Sequence, residues 1–303
     1  MLSTKPSNTA GTTSAAFVAA DLSTCLAAAI STMREAHYEE SIQLFRTALE
    51  CLKAHIHHEP SPNQDTDEAN NGDQPELILE TISLRETASE ALKSSFDDTD
   101  QKDNHNSLGA FAMFDKAFYI TSGSSRNQET GDNENAEDAA LWLGDNVHRV
   151  SAVLLYNTAL MYHVQGCLLL VQSSRRHGDL PADRPQSQSQ QFYYDKALKL
   201  YDMALQVLHN CRERQAMELL LSLAIFNNKG HIYCQCWELS QANECVYWIQ
   251  QVLDCCHHHH HRHPNAHCES VSDGHQHELE HFRWNVLLWN YRQECCTAVA
   301  PAA

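Results

Sequence analysis

The chain has 303 residues, enough for one or two domains with a sizeable core. It carries 39 acidic and 21 basic side chains, a formal net charge of −18, so nucleic acids and anionic membrane surfaces would repel it. Ten glycines and eight prolines are few for this length and favour helices over a many-turned β fold; no apolar run reaches the roughly 18 residues of a membrane span.

Residues 1–15 are rich in Ser, Thr and Ala, and we expect a disordered leader there. The leader has one lysine and no apolar core, unlike a secretory signal peptide; a transit peptide is the alternative. Four of the twelve cysteines, Cys25, Cys51, Cys234 and Cys245, fall in amphipathic patterns where a free thiol packs as a small apolar group. Free thiols without a secretion signal indicate a reducing compartment, so we expect an intracellular, cytoplasmic protein.

Phe17 to Lys53 has the pattern of a helical hairpin. Ala29 is the small residue of its first helix, residues 34–37 form the turn, and the second helix begins at Tyr38. This second helix repeats apolar or small residues at helical spacing. They are Ser41, Phe45, Ala48 and Leu49.

Two less regular segments follow the first hairpin. Leu77 to Lys93 has apolar residues at roughly helical spacing and is predicted to be a helix. The apolar and aromatic stretch Leu108 to Thr121 is predicted to be extended chain packed on the helices. A short strand pair around Asp115 and Lys116 is the alternative for this stretch.

The main helical body is predicted to begin at Ala136, with Asp145 or Asn146 as the N-cap of a helix through Tyr162. Gly166 is a candidate terminator, although the apolar residues 167–172 favour continuation. Its partner helix is predicted at 192–209, the next long helix at 214–236, and the partner of that helix at 239–255. One register recurs in this body, at Asn157, Ala159 and Tyr162, then at Asn228, Gly230 and Tyr233, with Ala197 and Ala242 as the matching small residues of the partner helices.

This register resembles the tetratricopeptide repeat (TPR), a helix–turn–helix unit of about 34 residues that recurs in tandem. The resemblance implies an all-α, TPR-like α-solenoid of antiparallel hairpins, one domain over 16–296 with a short tail at 297–303. Disordered inserts are predicted at about 55–75, 97–107, 122–135, 173–191 and 256–276. A last helix over 279–295 would close the open end of the stack.

In TPR arrays the first helix of each repeat lines a concave groove, which implies a non-enzymatic scaffold that binds a peptide or helix of a protein partner. The groove residues implied here are Val153, Tyr156, Leu160, His163, Asn227, His231 and Cys234. Each of them is equally compatible with plain hairpin-to-hairpin core. Leu26, Tyr156 and Asn227 stand where family members that bind acidic tails need cations, so an apolar or mixed ligand is expected.

A histidine-rich segment offers a second function, metal binding or metal sensing. Imidazole and thiolate bind zinc, copper or nickel. The candidate ligands are Cys255, Cys256, His257, His258, His259, His260, His261, His263, His267 and Cys268. The segment has no paired C-x-x-C framework, so a low-complexity loop without a metal role is the alternative.

Catalytic signatures are absent from the sequence. It has no G-x-S-x-G, H-E-x-x-H, P-loop or G-x-G-x-x-G motif, so we expect neither an enzyme nor a cofactor. A thiol-dependent enzyme has no support beyond the number of cysteines. Cys234 and Cys236 lie two apart on a predicted helix and diverge by about 200°, too far to bind one ion together.

Overall fold

The computed structural model describes residues 22, 24–58, 77–84, 112–122, 136–176, 188–209, 216–262 and 275–298. This part of the chain is mostly helical and contains one small sheet. The described elements are α1 (24–34), α2 (Tyr38–His58), β1 (Leu77–Ser83), β2 (Lys116–Ser122), α3 (Ala136–Arg176), α4 (Gln188–His209), α5 (Ala216–Gln235), α6 (Leu239–Arg262) and α7 (Gln276–Ala298).

Two tight helix–helix turns share one backbone geometry. Ala36, between α1 and α2, has φ 62°, and Trp237, between α5 and α6, has φ 63°. In the first turn the amide of His37 donates to the carbonyl of Thr32 at 2.9 Å, and the corresponding Glu238 bond in the second turn measures 2.8 Å. This is the Schellman arrangement, in which a left-handed residue ends one helix and redirects the chain into the next.

The helices pack in chain order as neighbouring hairpins. Helix α3 packs along α4, and α5 packs along α6. Between the hairpins, α2 contacts α3, α4 contacts α5, and α3 contacts α5, while α7 packs on α5 and α6. Buried side chains from the helices and both strands join in one hydrophobic cluster, so the described elements share a core.

The small residues predicted at helix crossings are buried. Ala29, Ala159, Ala197 and Ala242 have no exposed surface. Ser41, which replaces a small apolar residue in the register, is also fully buried and donates to the carbonyl of Ala29 at 2.8 Å. Its hydroxyl is therefore satisfied by the facing helix, which makes serine acceptable at this crossing.

Gly166 does not end α3, which runs on to Arg176. The ring of Tyr194 on α4 lies directly over it, and a Cβ at this position would meet Tyr194 Cδ1 at 2.6 Å. Glycine is therefore required by close packing with the partner helix and not by helix termination.

The predicted helix at 77–93 is wrong in its described part, because Leu77–Ser83 is a strand. It pairs antiparallel with Lys116–Ser122, with Thr81 opposite Phe118. Residues 112–115 have no regular secondary structure and contact the helices, as expected, whereas the strand from Lys116 pairs with residues 77–83 and not, as in the alternative, within 108–121. Short apolar runs fit both the helical and the strand periodicity, and a β-branched segment becomes a strand when a partner strand is available. Residues 85–93 lie outside the described residues.

Several helix bounds differ from the sequence prediction. Helix α3 begins at Ala136, so Asp145 and Asn146 are not its N-cap; Asn146 instead accepts a hydrogen bond from Arg149 at 2.8 Å. Helices extend into the predicted inserts at residues 55–58, 173–176, 188–191 and 256–262. The rest of the five inserts lies outside the described residues, apart from Ser122 and residues 275–276. So do the predicted leader and most of the tail.

Helix α7 carries apolar side chains on its buried face and on its exposed face. Phe282, Val286 and Trp289 are buried, and Trp289 Nε1 donates to Asn243 of α6 at 2.7 Å. Trp284 and Leu287, by contrast, are 60% and 58% exposed. The predicted last helix is therefore present, and its exposed face is partly apolar.

One helical stretch, Asn146–Leu170, is long and apolar enough to cross a membrane by length and composition. Its most apolar window is 67% buried inside the structure. Core helices of folded domains meet the same two criteria, so the stretch by itself is weak support for a membrane span.

Candidate functional site

Helices α3, α5 and α7, which we call the inner helices, hydrogen-bond to an extended segment of the chain itself. Asn157, fully buried on α3, forms two hydrogen bonds to the backbone of Phe118. Its Oδ1 accepts from the Phe118 amide at 3.0 Å, and its Nδ2 donates to the Phe118 carbonyl at 2.6 Å. One carboxamide thus replaces the neighbouring strand that this edge of β2 would otherwise need.

The same contact recurs on the next two inner helices. Asn228 of α5 accepts from the Phe114 amide at 2.8 Å and donates to its carbonyl at 3.0 Å. Asn285 of α7 donates to the Ala112 carbonyl at 3.0 Å and accepts from its amide at 3.4 Å. We call Asn157, Asn228 and Asn285 the asparagine ladder.

Contacts fall on every second residue of the extended segment. Between the two rungs at Phe114 and Phe118, the hydroxyl of Tyr156 donates to the Lys116 carbonyl at 3.0 Å. The period of two is that of an extended strand, whose alternate residues direct their backbone groups to the same side. The ladder therefore recognises backbone geometry and does not depend on side-chain identity.

Side-chain contacts add selectivity to this backbone recognition. The ring of Phe114 lies 4.9 Å from that of Phe282 and 5.5 Å from that of His281, measured between centroids. The ring of Phe118 meets Tyr156 edge-on at 5.0 Å. Both phenylalanines are almost completely buried, at 2% and 0% exposure, and their rings stack on each other at 5.9 Å, so each is enclosed by aromatic side chains that include the other.

A buried acid receives the basic side chain between the two phenylalanines. Lys116 Nζ lies 2.8 Å from Oε1 of Glu278, which also accepts from Thr81 at 3.3 Å. Burial by itself raises the pKa of the Glu278 carboxyl, but the hydrogen bond and charge of Lys116 outweigh it, and the pKa is lowered. Glu278 therefore stays ionised and favours a cation at this position of the segment.

A second polar group lies one to two turns further along the inner helices. His163 Nε2 of α3 and His231 Nδ1 of α5 are 2.9 Å apart. Burial lowers the pKa of His231 to about 4 and the pKa of His163 well below its usual value, where the neighbouring His231 adds to the effect. Both imidazoles are therefore neutral near pH 7. Cys167 of α3 brings a thiol to the same place.

The predicted groove residues divide into three groups. Tyr156 contacts the extended segment, as does Asn227, whose Nδ2 donates to the Ala112 carbonyl at 3.0 Å. His163 and His231 contact each other. The remaining three are buried in the hydrophobic cluster, as the core alternative expects; they are Val153, Leu160 and Cys234.

Sequence reasoning missed the asparagine ladder as a site. Asn157 and Asn228 were recognised only as polar positions of the repeat register, and Asn285 not at all. A usable signal was present for two of them, because Asn157 and Asn228 interrupt apolar helices, directly after Tyr156 and Asn227. A carboxamide is buried in such a position only when it has hydrogen-bond partners.

The histidine-rich alternative stays a prediction. Cys255, Cys256 and His257 to His261 belong to the last turns of α6, whereas His263, His267 and Cys268 lie outside the described residues.

Comparisons with known proteins give no assignment for this chain. No protein-family model, no curated protein and no solved structure matches it.

Proposed function

We propose that this chain is a non-enzymatic protein-interaction scaffold, a TPR-like solenoid whose inner face binds an extended polypeptide segment. The asparagine ladder is the observation that carries the proposal. Three carboxamides on three successive inner helices contact the backbone of one extended segment at intervals of two and four residues. Such an array suits any chain that presents an unpaired strand edge.

The solenoid assignment is supported by repetition of local structure. The α1–α2 and α5–α6 turns each contain one residue in the left-handed conformation, and both are closed by the same pair of capping hydrogen bonds. Consecutive hairpins contact each other in chain order, and α3, α5 and α7 each supply one rung of the ladder. Tandem hairpins stacked by a constant operation would produce both regularities.

The ligand class follows from the pockets around the ladder. Aromatic pockets at Phe114 and Phe118, with the Glu278 carboxylate between them, favour an extended segment of the form aromatic–x–basic–x–aromatic. The overall charge of −18 also favours a neutral or basic ligand. A protein segment therefore suits the site better than a nucleic acid or an anionic membrane surface.

The chain's own residues 112–118 occupy this site, so a partner must exchange with them. A tethered segment acts at an effective concentration of about 1 mM, an advantage of about 3 kcal/mol over a probe at about 10 μM. Replacing Phe114 and Phe118 by Ala removes about 3 kcal/mol each, or about 6 kcal/mol together. This loss exceeds the advantage of the tether, so the double variant is expected to accept an external segment.

A labelled peptide with the sequence of residues 112–122 tests the proposal by fluorescence anisotropy. We expect binding to the Phe114→Ala/Phe118→Ala variant, at least tenfold weaker binding to the unmodified chain, and loss of binding when Asn157→Ala is added. A control peptide of the same composition, with both phenylalanines moved by one position, should not bind. If the folded double variant ignores both peptides, or if Asn157→Ala changes nothing, the proposal is wrong.

A further inference from the structure

Three potential metal ligands from two inner helices converge in the core. His163 and Cys167 are one turn apart on α3, and His231 lies on α5. One ligand atom from each residue lies within 4.8 Å of the others. The group is separate from the histidine-rich end of α6 and does not contact the extended segment through any of the hydrogen bonds described above.

The three side chains are ligand types that zinc accepts. Zinc sites in proteins are built from histidine nitrogen and cysteine sulfur, and this cluster offers two imidazoles and one thiol.

A tyrosine hydroxyl lies beside the thiol. Cys167 Sγ is 3.7 Å from the hydroxyl of Tyr194, whose ring is held against Gly166. His163 is completely buried, whereas Cys167 and His231 keep part of their surface. Tyr194 of α4 therefore covers the thiol on one side of the cluster.

We propose that His163, Cys167 and His231 form a binding site for a divalent cation that prefers sulfur ligands, above all zinc. Tyr194 or a solvent molecule would lie beside the fourth coordination position of the ion. Two nitrogen ligands on a tetrahedral zinc lie about 3.3 Å apart, given Zn–N bonds of about 2.0–2.1 Å. The facing nitrogens, 2.9 Å apart, need to separate by only about 0.4 Å.

Zinc binding here displaces the thiol proton to solvent. The ion forms a Zn–S bond with Cys167 as the S–H proton leaves to solvent. Because α3 and α5 belong to successive hairpins, the bound ion links them directly and stabilises the stack.

Cobalt spectroscopy of the full-length chain tests the site in a background that removes the other strong ligands. In this background all ten candidate ligands of the histidine-rich segment are replaced by Ser: Cys255, Cys256, His257 to His261, His263, His267 and Cys268. We expect a single equivalent of Co²⁺ to give the d–d bands of a tetrahedral centre and a near-ultraviolet thiolate-to-cobalt band, both lost when zinc is added. Zinc should also raise the melting temperature of the background protein.

Two variants identify the ligands, and a third variant serves as the control. Cys167→Ala should remove the thiolate band, His231→Asn should weaken cobalt binding at least tenfold, and Cys51→Ser should leave the spectrum unchanged. Circular dichroism checks that each variant is folded, and chelator-treated background protein serves as the metal-free reference. If the background protein binds no cobalt, or if folded Cys167→Ala keeps the thiolate band, the site is refuted.

Discussion

Replacement of Asn228 by Ala is the sharpest test of the asparagine ladder. Its carboxamide is fully buried and holds both the amide and the carbonyl of Phe114, at 2.8 and 3.0 Å. Each buried backbone group that loses its partner costs about 1–3 kcal/mol, so the variant should lose about 2–6 kcal/mol of unfolding free energy. That is a large part of the about 5–15 kcal/mol of a typical domain.

The measurement is urea unfolding followed by far-ultraviolet circular dichroism, in the presence of a chelator. Asn290→Ala is the matched control, because this asparagine is exposed on α7 and its loss should change stability by less than about 0.5 kcal/mol. The reasoning fails if Asn228→Ala is no more destabilising than the control. Such a result would mean that the hydrogen bonds between Asn228 and the Phe114 backbone do not form in solution.

Asn228→Asp separates hydrogen-bond chemistry from shape. The second carboxylate oxygen would face the Phe114 carbonyl in a fully buried position, so the folded state favours the protonated acid and raises the pKa of this carboxyl above about 3.9. Below about pH 4 the acid is protonated in both states and can donate, so the deficit relative to the unmodified chain is smallest there. The deficit should grow as the pH rises through the folded-state pKa; a deficit independent of pH contradicts this account.

Three further predictions concern residues around the site. Gly166→Ala should cost about 1–3 kcal/mol in urea unfolding, because the new methyl group overlaps the Tyr194 ring; unchanged stability would refute the close packing. With chelator present, the unfolding free energy should fall by up to about 3 kcal/mol as the pH falls from about 6.5 to about 4, because His231 takes up a proton in the unfolded chain that its ring does not bind in the folded one. The His231→Asn variant should flatten this part of the stability–pH curve. An unaltered curve would contradict the assignment. Lys116→Met should cost about 2 kcal/mol by leaving the Glu278 carboxylate buried without a cation, and adding Glu278→Gln should restore part of the loss; additive losses in the double variant would exclude this coupling.

Helix content was predictable because the signal is local and repeated. The spacing of small and aromatic residues around Ala159, Ala197 and Ala242 indicated paired helices, and these residues are indeed fully buried in neighbouring helices. The stacking order itself depends on contacts between helices and stays an interpretation of the hairpin pattern. Positions such as Ser41 were read as departures from the pattern, although the facing Ala29 carbonyl explains the serine.

The strand pair was not predictable from its own residues. Leu77–Ser83 is a strand because Lys116–Ser122 lies beside it, and the second strand is in turn held by Asn157 and Tyr156. These contacts join residues 39 and 40 positions apart and depend on the helices having already packed. The same dependence hid the His163–Cys167–His231 cluster, whose third member comes from a different hairpin.

Under the proposed function, the asparagine ladder favours one of the two kinds of ligand that the resemblance left open, an extended peptide over a helix. A helix satisfies its amides and carbonyls internally along most of its length, so it would leave the buried carboxamides of Asn157 and Asn228 without partners. Each unsatisfied carboxamide would cost about 1–3 kcal/mol, a penalty that a helix has no backbone groups to offset. An extended segment offers a free amide and carbonyl at every second residue, the interval at which the inner helices contact residues 112–118. A helical peptide that bound here more tightly than its extended counterpart would therefore contradict the proposed mode of recognition.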